Sequence, residues 1–155
     1  MIIIREATLS DVAAIKSIED ESYPFPWSEK VLQDCFGKNY SSWVAEQNDQ
    51  IVGYLIVTEI VGEIHLLNVC VSPSVRRLGV AKQLLGYLIS WASKHSMHSI
   101  LLEVRESNIA AQSLYVDLRF QLIGRRPNYY PSDEGREDAL MFSLDLSRTG
   151  VDCQV

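Results

Sequence analysis

No stretch of this 155-residue sequence approaches the ~18 consecutive apolar residues that a membrane-spanning helix requires. The opening Met1-Ile2-Ile3-Ile4-Arg5 also lacks the basic start and long apolar run of a secretion signal, so a cytoplasmic protein is expected. Cysteine is scarce. Cys35, Cys70 and Cys153 form no Cys-x-x-Cys pair, and none stands in metal-ligand spacing with His65, His95 or His98. That pattern excludes a disulfide scaffold and predicts reduced thiols and no metal site. With 8 glycines and 5 prolines, the chain is neither collagen-like nor low in complexity. Positive charge is short as well: 14 Lys and Arg face 20 Asp and Glu, for a net charge of −6. Such a surface repels nucleic acid and anionic membranes and favours a cationic partner.

What is present is a core: 47% of residues are hydrophobic, enough for one domain, expected over 1–146 with a flexible tail over 147–155. Ile2 to Arg5 reads as a strand. Thr8 or Ser10 can then cap a helix carrying Val12, Ile15 and Ile18 at helical spacing. Pro24 and Pro26 break the chain at an aromatic segment, after which Ser28 caps a second helix. From Ser42 to Val71 three β segments, with turns at Asn48-Asp49 and at Gly62, predict an antiparallel meander. A long helix follows, with Ala81, Leu84, Leu85, Leu88 and Ala92 on one face, and then the apolar strand Ile100 to Val104, a β-α-β crossover. Asn108 caps another long helix with Ala111, Leu114, Tyr115 and Leu118 inward. Short strands Phe120 to Gly124 and Ala139 to Leu144 close the domain around a Tyr/Pro-rich loop. The fold class is mixed α/β.

The stretch Val69-Cys70-Val71-Ser72-Pro73-Ser74-Val75-Arg76-Arg77-Leu78-Gly79-Val80-Ala81-Lys82 places two arginines and a small-residue turn between a strand and a helix start. Unpaired N–H groups and the helix dipole favour an anion there, so a phosphate-bearing cofactor fits. The spacing is neither that of a nucleoside-triphosphate loop nor that of a dinucleotide fingerprint. The plainer alternative is a solvated arginine pair at an ordinary helix entry.

Arg-Arg-x-Gly-x-Ala after an apolar strand ending in Val-x-Pro resembles the acetyl-coenzyme A loop of the GNAT N-acetyltransferases, and the order of elements matches that family over residues 1–146. Phe25-Pro26-Trp27-Ser28, Leu102-Glu103-Val104-Arg105, Ser107-Asn108, Asn128-Tyr129-Tyr130-Pro131 and Gly135-Arg136-Glu137-Asp138-Ala139 are similar to its RimI-type branch, which acetylates the N-terminal alanine of a small-subunit ribosomal protein. The resemblance implies a GNAT fold: a mixed central sheet, antiparallel meander plus crossover, flanked by helices on both faces. It implies acetyl-coenzyme A as cosubstrate, held by Val69, Cys70, Val71, Arg76, Arg77, Leu78, Gly79, Val80, Ala81, Lys82 and Asn108. Main-chain N–H groups of Val69 to Val71 would polarise the thioester carbonyl. Ala81 departs from the pattern, standing where many relatives carry a second glycine.

The same resemblance makes Glu103 the general base and Tyr115 the general acid. Desolvation in an apolar strand should raise the Glu103 pKa, and a phenol is protonated at neutral pH. Taken alone, Glu103 could be a strand-end carboxylate facing water and Tyr115 a core tyrosine. Cys70 lies among apolar neighbours with no base nearby in sequence, so direct transfer in a ternary complex is preferred to a covalent acyl carrier. Phe25, Trp27, Tyr129, Tyr130 and Asp138 are candidates for holding a basic N-terminal peptide, unless their loops close the core instead. No nucleic acid or membrane is expected as partner, and the chain is expected to be a monomer or weak oligomer. Two other readings share these residues: an acetyltransferase of a small amine or of lysine, and a non-catalytic acyl-coenzyme A binding module.

Overall fold

The computed structural model describes residues 1–146; the expected tail over 147–155 lies outside the described residues. Seven strands form one sheet in the order β1-β2-β3-β4-β5-β7-β6. They are β1 (Ile3–Glu6), β2 (Tyr40–Gln47), β3 (Gln50–Ile60), β4 (Glu63–Val71), β5 (Ser99–Arg105), β6 (Gln121–Ser132) and β7 (Gly135–Asp145). The helices are α1 (Val12–Ser22), α2 (Glu29–Asp34), α3 (Val80–Lys94) and α4 (Ile109–Asp117). No helix among the described residues is long and apolar enough to cross a membrane. The chain divides into two compact units, Met1–Ile60 with Leu66–Leu88, and Val61–His65 with Ile89 onward.

In the first unit β1, β2 and β3 pair antiparallel, and Asn48 and Asp49, both at positive φ, make the two-residue turn of the β2–β3 hairpin. Strand alternation then sorts the side chains. Val44, Tyr54 and Ile56 pack with Val12, Ile15 and Ile18 of α1 and Leu32 of α2. The opposite face carries Trp43, tilted against Tyr87 of α3 at 5.9 Å between ring centroids. Helices therefore cover both faces. Gly53 is required on the α3 side, because a Cβ there would come within 3.1 Å of the Cys70 carbonyl oxygen and 3.3 Å of a Leu84 methyl. This close approach seats the start of α3 against β3. Ser28 caps α2 through its side chain, which accepts from the Val31 N–H at 3.2 Å. The entry to α1 differs from a simple cap. A short 3-10 turn over Leu9–Asp11 precedes it, and the buried Asp11 carboxylate takes two hydrogen bonds from the Arg5 guanidinium, each 2.9 Å.

In the second unit β5 and β6 both pair antiparallel with β7. Tyr115 of α4 packs against Phe120 and Phe142, with centroids 5.7 and 6.1 Å away. This helix is shorter than its sequence pattern predicts: Arg119, at φ +73°, ends it after nine residues, and Ala111, Leu114 and Leu118 are only half-buried. The Tyr/Pro-rich segment is likewise no open loop. It continues β6 to Ser132 and turns tightly into β7. The register shifts at Leu122/Gly124 and Arg126/Tyr130 make this possible, the second taking Pro127 out of the ladder and leaving Asn128 at positive φ.

Candidate active site

The first unit holds the loop expected to bind an anion. β4 ends at Val71, Pro73–Val75 form a 3-10 turn, and α3 starts at Val80. Arg77 and Gly79 both adopt positive φ, +67° and +81°, so the chain kinks twice before the helix. Such alternation turns successive N–H groups toward one side, as anion-binding nests do. The N–H groups of Val80, Ala81 and Lys82 have no intrahelical acceptor, and nothing lies within 4 Å of where a Gly79 Cβ would stand. Arg76 turns back, its Nε donating to the Val71 carbonyl at 3.3 Å, which stiffens the turn. Arg77, Leu78 and Lys82 are exposed. Of the loop's two small residues, Gly79 is the one at left-handed φ, whereas Ala81 lies inside the first turn of α3. A methyl at position 81 therefore carries no backbone strain.

Val69, Cys70 and Val71 form the last stretch of β4. The Val69 carbonyl accepts from the Tyr23 hydroxyl at 3.1 Å. Cys70 is buried, and burial pushes its thiol pKa up, away from the reactive thiolate. Cys35 is buried with the same effect, and Cys153 lies outside the described residues.

Beneath this strand end is a polar cluster that the sequence reading missed. Glu19 of α1, only 1% exposed, accepts from the Tyr54 hydroxyl, from Asn68 Nδ2 at 2.8 Å and from the Trp27 N–H at 2.8 Å. Burial, first of all, drives the Tyr54 hydroxyl pKa far above its ordinary value, so that group is a donor here. One signal was available in the sequence. Glu19 stands four residues after Ile15, on the stripe that Val12, Ile15 and Ile18 mark as buried. Phe25 is exposed and Trp27 half-buried on the segment that this cluster anchors.

The second unit brings together Glu103, Tyr115, Tyr129 and Tyr130. Alternation along β5 puts Leu101, Glu103 and Arg105 on its half-buried face. Glu103 Oε2 is buried and accepts no hydrogen bond, although Arg126 Nε stands 3.3 Å away. Arg105 locks the β6–β7 hairpin by donating to the Pro131 carbonyl (2.7 Å) and Glu137 Oε1 (2.9 Å), with its guanidinium 4.6 Å from the Tyr130 ring centroid. Tyr130 has its pKa pushed up to about 12 by burial and then by the neighbouring charge of Glu103. Tyr115 is 5% exposed and is driven higher, again by burial first and then by Tyr130. Tyr130 thus lies within electrostatic reach of both Glu103 and Tyr115, and both phenols are protonated at neutral pH. Tyr129 is exposed and meets Tyr130 edge-on at 4.9 Å.

Two expected site residues have structural tasks. Asn108 caps α4, its Oδ1 accepting from the Ala111 N–H at 3.1 Å. Asp138 takes the Asn128 N–H on one oxygen and Arg125 on the other, at 2.9 and 2.7 Å, and these two partners, in that order, hold its carboxyl below the usual range. It fixes the bulge of β6 and carries no oxygen without a protein partner.

Residues 12–120 match the model of the Acetyltransferase (GNAT) family. The chain is similar to the [ribosomal protein bS18]-alanine N-acetyltransferase of Escherichia coli K12, with 37% identity over 138 residues that cover 89% of this chain and 93% of that protein. The enzyme of the same name from Haemophilus influenzae is 33% identical over 147 residues, covering 94% and 100%. The crystal structure of the ribosomal-protein-S18-alanine N-acetyltransferase from Escherichia coli superimposes with a TM-score of 0.91 at 36% identity, covering 94% of each chain. A seven-stranded mixed sheet, a kinked loop before α3 and similarity along nearly the whole length agree, and on these grounds this protein belongs to the acetyltransferase (GNAT) family.

Proposed function

We propose that this protein transfers an acetyl group from acetyl-coenzyme A to the N-terminal α-amino group of a protein, the N-terminal alanine of a small-subunit ribosomal protein, by direct transfer in a ternary complex. The observation that carries this reading is the near end-to-end similarity to enzymes bearing that name.

The residues present suit such a cosubstrate. Gly79, unobstructed at left-handed φ, and the first N–H groups of α3 would hold its diphosphate, with Arg77 adding positive charge. The coenzyme supplies the acetyl group as a thioester. The chain supplies the proton transfers. An α-amino group, with a pKa of about 7.7–8.0 against about 10.4 for lysine, is already partly neutral in the cell and asks little of a base. Glu103 takes its proton at Oε2, the buried oxygen with no donor. Tyr115, a phenol protonated at neutral pH and held more firmly so by burial, gives a proton to the departing sulfur. Phe25 and Trp27 in the first unit, and Tyr129 and Tyr130 in the second, are the aromatic side chains that each unit offers to the acceptor peptide, and Asp138 contributes by shaping the β6 bulge.

Incubation with acetyl-coenzyme A and synthetic peptides, followed by mass spectrometry, tests the reading. A peptide with a free N-terminal alanine gains one acetyl group and its N-terminally blocked counterpart gains none. Acetylation confined to internal lysines, or faster turnover of small free amines, overturns it.

A further inference from the structure

Both main-chain polar groups of Trp27 are gripped by α1. Its N–H donates to Glu19 Oε2 at 2.8 Å, and its carbonyl accepts from Lys16 Nζ at 2.9 Å. Glu19 and Lys16 are one turn apart on the same helix, so the aromatic segment between Pro24 and Ser28 is held by two side chains of one rigid element. The other oxygen of Glu19 faces the strand side, where Tyr54 of β3 and Asn68 of β4 donate to it. Asn68 immediately precedes Val69, whose carbonyl is held by Tyr23 from the last turn before the same aromatic segment. The links at the strand side and at Trp27 meet at the Glu19 carboxylate.

A buried carboxylate is costly unless donors satisfy it, and three donors do so here. A Leu or Met at that position of an apolar helix stripe would fill the space without that cost. An anion that reaches a loop N–H on one side and a strand on the other suits a part that must be fixed in position as well as packed.

We infer that Glu19 is a positioning residue for the acceptor: it fixes Trp27 and the adjacent Phe25 relative to the end of β4, and so sets the site that receives the N-terminus of the peptide. This rests on the acetyl transfer proposed above. Glu19 touches neither substrate and transfers no proton.

The test compares E19Q, K16M and Y54F with the wild type, measuring peptide KM and kcat together with acetyl-coenzyme A affinity by calorimetry. An amide at position 19 can satisfy Tyr54 and Asn68 through its oxygen, but then presents N–H to the Trp27 N–H. E19Q is therefore expected to raise peptide KM by about 10-fold or more, with kcat and coenzyme affinity within about twofold of wild type. K16M, a change on a partly exposed side chain that leaves the core intact, shifts KM in the same direction by about threefold. Y54F removes one of the two strand-side donors to Glu19 while Asn68 keeps the other and the Trp27 contact is untouched, so it raises KM by clearly less than E19Q does. The inference falls if K16M and a folded E19Q both retain wild-type KM, if coenzyme affinity drops in parallel, or if Y54F raises KM as much as E19Q. If E19Q does not fold, K16M decides alone. The two readings separate at the wild type. No turnover of an alanine peptide by the wild type sinks both, whereas normal turnover by wild type and variants alike sinks only the role of Glu19.

Discussion

Arg126 Nε stands 3.3 Å from Glu103 Oε2, yet that buried oxygen receives no hydrogen bond, because the guanidinium N–H is not aimed at it. The pair brings opposite charge close without a hydrogen bond to that oxygen. Glu103→Gln keeps the shape and removes the basic oxygen. It is expected to lower kcat by about 10²–10⁴-fold with the coenzyme dissociation constant nearly unchanged, as measured by steady-state kinetics beside calorimetry.

Tyr115→Phe separates packing from chemistry. The ring contacts with Phe120 and Phe142 persist, so thermal stability should stay within about 1.5 kcal/mol of wild type. Turnover should nonetheless fall by about 10²–10⁴-fold if the hydroxyl is the acid. Unchanged turnover would reduce Tyr115 to a core residue.

Gly79→Ala probes the loop without filling it. There is room for the methyl, but φ +81° is strained for any residue with a Cβ, at a cost of about 1–2 kcal/mol. The kink should relax. Calorimetry should show coenzyme affinity weakened by about 10-fold, and thermal unfolding a midpoint lower by a few degrees.

Acid sensitivity follows from Asp11. The Arg5 guanidinium, foremost through its hydrogen bonds, lowers the Asp11 pKa, so the folded state binds the proton less readily than the unfolded chain. The stabilisation is present above the ordinary aspartate pKa and is lost as pH falls through the lowered folded value. Arg5 is 39% exposed, so the contribution after solvent screening is about 1–2 kcal/mol. Denaturant titrations should show Asp11→Asn less stable than wild type at pH 7, with the two curves converging below about pH 4.

Features that rest on local chemistry were legible in the sequence. Ser28 and Asn108 cap their helices as expected because a capping side chain bonds an N–H three residues on, within the same segment. The Asn48-Asp49 turn and the kinked loop before α3 are local in the same sense. The β6–β7 hairpin was not legible, since Tyr130 and Pro131 pair with Glu137 and Arg136 only after a bulge between Arg126 and Tyr130. That Asp138 holds Arg125 and the Asn128 N–H was likewise not legible, because these partners lie ten or more residues away. Glu19 was passed over because charge on a helix usually means solvent; its partners lie on other strands and in a loop.

The outermost strands of the sheet are β1, with four residues, and β6, broken by its bulge around Pro127. Neither rim offers a long row of regularly spaced amides to another polypeptide, so edge-to-edge polymerisation is discouraged at both ends. The irregularity that shapes the hairpin beside Glu103 thereby also interrupts the template that a flat rim would offer to a further strand.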